Sequence, residues 1–318
     1  MSSLTFQELA KRIFALYQNK EYAEALDLLT RESNRFPEWA RRIYFWRVCL
    51  ATRMNEVDLA LDLLEEAVGS GYWFWKTELR EDPDLKPLQG LPRFERLVEI
   101  CSQRQEVARA QATPSILVSE PEALSEDDRR PWPLLIALHG NNSSAEDSAS
   151  YWHKATAKGW LLALPQSSQV DGPDTYVWND RDWTEQEIKD HYNSLLERYS
   201  IDEGEVVLAG FSMGGRWAIW LSLNASVKAR GFVAVAPFLP DVERFVPLMD
   251  IARGSRLRGY IIVGEQDSES CEGARALAEH MRSQDLLCEL EVHPDLGHAY
   301  PLDFHQSLNR ALDFILQS

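Results

Sequence analysis

Seven short apolar segments between residues 113 and 318 constrain the fold of this chain more than any other feature of its sequence. Six of them are nearly continuous in apolar residues, whereas 288–292 includes two Glu residues, and amphipathic segments with helical periodicity lie between them, at 184–199, 213–224 and 272–284. Strands that are apolar along their whole length are buried on both faces, so the pattern predicts an α/β fold with a mostly parallel sheet between layers of helices. The apolar segments are 116–118, 134–138, 160–164, 206–209, 231–236, 260–263 and 288–292.

The first third of the chain follows a different pattern. From about residue 5 to residue 109, apolar residues recur every three or four positions, which predicts successive helices. Residues 21–29 align with residues 56–64, keeping Glu, Ala, Leu, Asp, Leu and Leu in register, at an offset close to the roughly 34 residues of tetratricopeptide helix pairs. This region resembles a short tetratricopeptide array. We therefore predict a helical-repeat domain over residues 1–112 and an α/β domain over residues 113–318.

Composition argues against several kinds of partner. The chain has 33 basic and 50 acidic residues and a formal charge of −17, which disfavours binding to nucleic acid or to an anionic membrane surface. Its four cysteines are scattered, no apolar run approaches the roughly 20 residues of a membrane-spanning helix, and the first residues lack a basic leader before an apolar core. We expect a cytoplasmic protein with no nucleic-acid partner and no membrane span.

The motif Gly210-Phe-Ser-Met-Gly214 is the strongest indication of chemistry. It follows the predicted strand 206–209 and precedes the helical segment 216–221, which is the context of a nucleophile elbow. In a parallel sheet, ligands bind beyond the carboxyl ends of the strands. Ser212 is therefore the predicted nucleophile.

A serine hydroxyl becomes an effective nucleophile only when a base removes its proton, and elbow enzymes place the acid and then the histidine after the serine. His298 lies in a predicted loop after the last strand, from which it can reach the elbow, and it is the predicted base. His293 ends that strand, while His305 and His280 lie in helical segments. We expect a structural role for these three.

The acid that orients the histidine is expected after the preceding strand. Asp267 lies shortly beyond the strand 260–263, and its carboxylate can accept a hydrogen bond from the imidazole Nδ1–H. Asp241 follows a neighbouring strand and is an alternative, because that strand end can also reach the histidine; Glu265 is less well placed. Asp267 is the predicted acid, and Asp241 stays open at this point.

Two backbone N–H groups are predicted to bind the oxyanion formed during acyl transfer. One belongs to Met213, directly after the nucleophile. The other belongs to Asn141, in the loop after the strand 134–138. His139, in the same loop, is expected to brace the loop and to take no part in catalysis.

Aromatic residues are expected to form the walls of the substrate pocket, and Trp178 and Tyr300 are the predicted substrate-binding residues. The histidines show neither HxxxH nor HExxH spacing, so no metal is expected. No cofactor is expected either, because acyl transfer of this kind needs only protein groups.

Four motifs follow one another at 138–140, 210–215, 264–267 and 297–298. With Leu-His-Gly, Gly-Phe-Ser-Met-Gly-Gly, Gly-Glu-Gln-Asp and Gly-His in this order, residues 113–318 resemble the phospholipase/carboxylesterase family and are similar to dienelactone-hydrolase-like and polyester-depolymerase-like esterases. The resemblance implies an α/β-hydrolase fold and hydrolysis of a small-molecule carboxylic ester or thioester through an acyl-enzyme on Ser212. Relatives usually lack a helical N-terminal domain and often have Leu and Gly where this chain has polar residues 141–144, so the acyl pocket is expected to differ.

Two other functions are compatible with these residues. A peptidase could use the same serine, histidine and acid, but prolyl-oligopeptidase relatives carry an all-strand propeller, which residues 1–112 do not resemble. Alternatively, the helical repeats bind a peptide or protein partner, since repeat arrays often bind peptides on their concave face. This binding role is compatible with catalysis.

Overall fold

The computed structural model describes residues 6–122, 131–172 and 175–317. Within these ranges the chain forms two compact units. The first comprises residues 6–111 together with 170–172, and the second comprises the remaining described residues from 112 onwards. The predicted domain limits also include residues 1–5 and Ser318, which lie outside the described residues.

Helices make up most of the first unit, as the apolar periodicity predicts. Successive helices contact each other in the order α1 to α2, α2 to α3 and α3 to α4, so the first four form two antiparallel hairpins. In the described residues the α-helices of this unit are α1 (Phe6–Gln18), α2 (Tyr22–Glu32), α3 (Ala40–Arg53), α4 (Val57–Gly69), α5 (Lys76–Glu81) and α6 (Pro92–Gln111).

The aligned segments of the sequence correspond to α2 and α4. Lys20 and Asn55 each precede one of these helices, and both have a φ of 63°, in the left-handed region. Glu21 and Glu56 then act as N-caps with similar backbone angles, φ −85° and ψ 53° in one case and φ −90° and ψ 68° in the other. The two helical hairpins therefore share their turn geometry as well as their sequence pattern.

A seven-stranded sheet is the centre of the described part of the second unit, in the order β1-β3-β2-β6-β7-β8-β9. Strand β1 is antiparallel to β3, and the remaining neighbours are parallel. Each of the seven predicted apolar segments lies in one of these strands to within one residue, since 160–164 begins one residue before β3 and 231–236 ends one residue after β7. Their bounds are β1 (Ser115–Ser119), β2 (Trp132–Leu138), β3 (Leu161–Gln166), β6 (Ile201–Phe211), β7 (Gly231–Val235), β8 (Arg258–Gly264) and β9 (Leu287–His293); two short strands, β4 (Val170–Gly172) and β5 (Thr175–Tyr176), lie outside this sheet.

Helices cover both faces of the sheet because alternate residues of each strand point to opposite sides. In β2, Leu134 and Ile136 belong to a core that includes Ile188 and Leu277, whereas Leu135 packs with residues of the other face. The helices are α7 (Ala145–Trp152), α8 (Arg181–Arg198), α9 (Met213–Leu223), α10 (Val246–Ala252), α11 (Ser268–Ser283) and α12 (Phe304–Leu316). The α/β fold predicted from the apolar segments is confirmed.

The strand order determines where a ligand can bind. The chain runs from β2 to β3 on one side and then crosses to β6 on the other side of β2, so the order reverses between β2 and β6. Leu138 at the end of β2 pairs with Gly210 near the end of β6, and the loops that follow these two strands lie side by side. Ligands of open α/β sheets bind in the crevice at such a switch point.

In the described part of the chain, no helix combines the length and the apolar composition that crossing a membrane requires.

One buried carboxyl group lies outside the predicted site. Glu187 on α8 is 3% exposed, and its carboxylate accepts hydrogen bonds from the backbone N–H of Ser168, at 3.1 Å, and from the hydroxyl of the same residue, at 2.8 Å. Burial raises the pKa of Glu187 to about 7, and the two hydrogen bonds from Ser168 offset this effect only in part.

Because of Glu187, we expect the free energy of unfolding to fall as the pH rises from about 4.5 to 7. The folded protein holds this proton up to about pH 7, whereas the unfolded chain releases it near pH 4.3, so the unfolded state binds fewer protons in this window. The loss is on the order of 3 kcal/mol and levels off above the folded-state pKa. Urea unfolding of wild type and Glu187→Gln at about pH 5.5 and pH 8 measures it. The variant keeps an acceptor for Ser168, and an equal pH dependence in both proteins would contradict the expectation.

Candidate active site

Ser212 lies in a strained turn between β6 and α9. Its φ of 53° and ψ of −116° are unfavourable for a side chain, and its N–H donates to the carbonyl of Val235 at 2.9 Å. Glycines make the turn sterically feasible: a Cβ at Gly210 would lie 2.3 Å from the carbonyl carbon of Gly214, and one at Gly214 would lie 2.3 Å from the carbonyl oxygen of Leu138. The sequence motif therefore forms the tight strand-to-helix turn that it predicts.

Three side chains that are distant in sequence meet at this turn. His298 lies in the loop after β9, and its Nε2 is 3.0 Å from the Oγ of Ser212. Its Nδ1 is 2.5 Å from the Oδ2 of Asp267, which precedes α11. A continuous chain of hydrogen bonds thus joins a hydroxyl, an imidazole and a carboxyl group.

The local environment of Asp267 favours its ionised form. Burial raises the pKa of this carboxyl group, but hydrogen bonds from His298 and Ser270 outweigh burial, so the net pKa is below its ordinary value. Ser270 is buried, and its Oγ also lies 3.5 Å from the Nδ1 of His298. Ser270 was not predicted from the sequence; its position in the first turn of α11, three residues after Asp267, is the signal that could have found it.

The alternative acids do not reach the histidine. Asp241 instead accepts a hydrogen bond from Arg216, at 2.6 Å, and forms an ion pair with Arg244, at 2.9 Å. Glu265 is exposed at the end of β8. Of the carboxyl groups considered from sequence, the structure places Asp267 against His298.

The other three histidines considered from the sequence have different neighbours or are exposed. His293 lies 2.7 Å from a carboxylate oxygen of Glu291. His305 is exposed on α12, and His280 on α11 lies 3.8 Å from Glu243.

The residues predicted to supply the oxyanion donors, Met213 and Asn141, both belong to segments next to Ser212. Met213 is the first residue of α9, and Asn141 follows Gly140, where a Cβ would lie 3.5 Å from the Cβ of Ser212. Among the described residues, neither the N–H of Met213 nor that of Asn141 donates to a protein acceptor. An oxyanion role for these two groups stays a prediction.

His139 holds the loop that carries Asn141. The ring is fully buried; its Nδ1–H donates to the carbonyl of Gly140 at 2.7 Å, and its Nε2 accepts from the N–H of Ser167 at 3.3 Å. Burial lowers the pKa of His139 to about 4, so the ring is neutral near pH 7 and these two contacts define its tautomer.

Trp178 is fully buried beside the cleft next to the elbow, and a substrate contact by this residue stays a prediction. Its side chain has no exposed area, and its indole N–H donates to the carbonyl of His139 at 3.0 Å. Its backbone N–H donates to the side-chain oxygen of Asn141 at 2.9 Å. The sequence indicated an aromatic residue near the pocket, and the structure adds the hydrogen bonds that hold it there.

Tyr300 packs behind the histidine. Its ring stacks on those of Tyr151, with centroids 3.9 Å apart, and Phe211, with centroids 4.7 Å apart, and its hydroxyl accepts from the indole of Trp152 at 3.2 Å. Phe211 in turn lies 5.0 Å from the ring of His298. A substrate contact by Tyr300 stays a prediction.

A cleft of about 620 Å³ opens beside the elbow. Met213, the residue after the nucleophile, lines this cleft, whereas Ser212 and His298 do not. The walls combine indole and phenyl rings with guanidinium groups and a carboxylate. They are formed by Trp178, Asn179, Arg181, Met213, Arg216, Trp217, Trp220, Phe238, Pro240, Asp241 and Arg244.

The described residues contain one group of potential metal ligands, formed by Cys49, Asp82 and Asp84 in the first unit. Asp84 already accepts hydrogen bonds from the hydroxyl of Tyr17, at 2.7 and 2.8 Å. Burial raises the pKa of Cys49 well above its ordinary value, so the thiol is protonated. These contacts account for the group without a metal ion.

The mostly parallel sheet, the serine at the turn after β6 and the neighbouring loop after β2 define an α/β-hydrolase fold. Residues 168–311 match the model of the dienelactone hydrolase family, and residues 5–109 match a model described as the A/B hydrolase-like N-terminal domain. These matches support a hydrolase. They also indicate that the likeness of the helical unit to tetratricopeptide arrays is loose.

Similar solved structures agree with this fold. A crystal structure of an uncharacterized protein from Bacillus cereus ATCC 10987 has 27% identity and a TM-score of 0.57, over 98% of this chain and 99% of that chain. Esterase PE8 has 16% identity and a TM-score of 0.53, over 64% of this chain and 100% of its own. A ferulic acid esterase has 15% identity and a TM-score of 0.50, over 64% and 98%. No curated protein is significantly similar to this chain in sequence.

Proposed function

We propose that this chain is a serine esterase that cleaves small-molecule carboxylic esters or thioesters through an acyl-enzyme on Ser212. The observation that carries the proposal is the hydrogen-bonded chain from the Oγ of Ser212 through His298 to Asp267. The match to the dienelactone hydrolase family supports hydrolase chemistry.

Each group has a defined part in the proposed reaction. His298 Nε2 takes the proton from Ser212 as its Oγ bonds to the carbonyl carbon of the ester, and Asp267 stabilises the imidazolium that forms. The N–H groups of Met213 and Asn141 donate to the oxyanion of the tetrahedral intermediate. His298 then gives the proton to the leaving oxygen or sulfur, and the bond from the acyl carbon to that atom breaks. In the second half of the reaction His298 takes a proton from a water molecule, whose oxygen bonds to the acyl carbon. The bond to the Oγ of Ser212 then breaks, and His298 returns the proton to this Oγ.

The cleft beside Met213 is the proposed site for the part of the substrate next to the ester bond. Its more exposed aromatic side chains, Trp220 and Phe238, can contact apolar or planar groups. Phe238 is 37% exposed and stands at the surface of the cleft.

A panel of p-nitrophenyl esters of increasing chain length, assayed beside a peptide p-nitroanilide, tests the proposal. We expect turnover of esters and little turnover of the anilide by the wild type, and neither by Ser212→Ala. Faster cleavage of the peptide amide would instead identify a peptidase that uses the same residues. Activity equal in wild type and variant would contradict the proposed mechanism.

The division into domains at residues 112 and 113 is likewise our proposal. A peptide or protein partner for the helical unit and a cytoplasmic location both stay predictions from the sequence.

A further inference from the structure

We propose that Trp178 is a positioning residue that holds the two oxyanion donors, the N–H groups of Asn141 and Met213, at a defined separation. The inference rests on the proposed function and goes beyond it, because it concerns the contacts that the fully buried Trp178 makes within the protein. Its role is exerted through hydrogen bonds and ring packing with the two segments that carry the donors.

Three hydrogen bonds connect Trp178 to these segments. Its backbone N–H donates to the side-chain oxygen of Asn141 at 2.9 Å, and its indole N–H donates to the carbonyl of His139 at 3.0 Å. Its carbonyl accepts from the indole N–H of Trp217 at 2.8 Å. The first two bonds reach the loop after β2, and the third reaches α9.

The contacts to the loop control the direction of the Asn141 N–H. This N–H and the carbonyl of Gly140 belong to one planar trans peptide, so fixing the carbonyl also fixes the N–H, which points the opposite way. The Nδ1–H of His139 donates to that carbonyl at 2.7 Å. Trp178 in turn holds His139 in two ways. Its indole N–H donates to the carbonyl of His139, and the rings of the two residues pack with their centroids 4.9 Å apart.

The contact to α9 controls the other donor. Trp217 lies one turn along the helix that begins at Met213, and a helix transmits a displacement of one turn to the next because its backbone hydrogen bonds are continuous. Trp217 is buried and points its indole N–H at the carbonyl of Trp178. Trp178 therefore links the elbow helix to the loop of the second donor.

Small changes in these positions have large effects on the rate. Removing one oxyanion donor typically costs about 10² to 10³ in kcat, and a displacement near 1 Å can cost about 10². Both donors are backbone groups that cannot adjust their direction independently of their segments. A loss of kcat with little change in KM is the signature of such a displacement.

Trp178→Phe and Trp217→Phe test the inference, because each keeps an aromatic ring and removes one indole N–H. For a p-nitrophenyl ester we expect kcat to fall about 10- to 100-fold in each variant, with KM within about threefold of wild type. Inhibition by a trifluoromethyl ketone, which forms a tetrahedral adduct on the serine, should weaken by a similar factor. The double variant should lose less kcat than the product of the two single losses, because both substitutions disturb the same hydrogen-bonded arrangement.

Trp160→Phe is the matched control, because Trp160 is 5% exposed in the core on the other face of the sheet. It should lower thermal stability and leave kcat within about twofold of wild type. A kcat for Trp178→Phe and Trp217→Phe within twofold of wild type would overturn the inference, as would a loss equal to that of the control. A raised KM with unchanged kcat would also overturn it, by identifying Trp178 as a substrate contact. If Trp178→Phe does not fold, the kcat and KM of Trp217→Phe test the inference by themselves.

The proposed function has separate evidence. Wild-type activity that disappears in Ser212→Ala, together with unaffected tryptophan variants, would leave the esterase proposal intact and reject only the role of Trp178.

Discussion

Ser212→Ala is expected to lower kcat for ester hydrolysis by about 10⁵-fold or more and to abolish labelling by a fluorophosphonate probe. The methyl group of alanine cannot bond to the ester carbon, so no acyl-enzyme forms, and the remaining rate over water comes from binding and the oxyanion donors alone. Hydrolysis of p-nitrophenyl esters and gel-based labelling measure the two effects.

The folded state should survive this substitution, since the hydroxyl of Ser212 is not needed for the turn, which glycines at positions 210 and 214 make possible. Ser283→Ala is the matched control: Ser283 ends α11, and its hydroxyl donates to the carbonyl of His280 at 2.7 Å. It should keep wild-type labelling. Full labelling of Ser212→Ala would assign the nucleophile to another residue.

Asp267→Asn is expected to lower kcat by up to about 10⁴-fold while the protein stays folded. An amide presents either a donor or a neutral acceptor to the Nδ1 of His298, which favours the wrong tautomer and leaves the imidazolium without a compensating charge. The distance of 2.5 Å between the carboxylate and Nδ1 makes this effect direct. Ester hydrolysis by both proteins is measured from pH 6 to 9. We expect the change mainly in kcat, with KM altered far less.

Asp241→Asn is the matched control, because it removes the same charge close to the same cleft. Asp241 is bound by Arg216 and Arg244, so its loss should reduce activity by less than about tenfold. The opposite result, with Asp241→Asn inactive and Asp267→Asn near wild type, would move the acid to the loop after β7.

Much of the fold could be predicted because it depends on local patterns. Strands buried on both faces are apolar along most of their length, and each predicted segment lies in a strand of the sheet to within one residue. The glycines at 210 and 214 are required by a close approach of backbone atoms, so they mark the turn in the sequence itself. The repeated turn before Glu21 and Glu56 has the same local origin.

Other features could not be predicted because they depend on contacts between distant segments. The burial of Trp178 is one example, since its hydrogen bonds to His139 and Trp217 each join residues 39 positions apart. The raised pKa of Glu187 has the same kind of cause, since it reflects burial that no neighbouring residue in the sequence reveals.

The sequence by itself determined which chemical groups are present and at which end of which element each lies. It placed a serine at a glycine-flanked turn and acids and histidines after later strands, because these positions follow from local periodicity and turn chemistry. Only the tertiary structure decided which of those groups meet. Ser212 and His298 are 86 residues apart, and His298 and Asp267 are 31 apart, so their contacts depend on the order of β6, β8 and β9 in the sheet. That order arises from packing across the whole unit, and it brings Asp267 to the histidine while arginines bind Asp241.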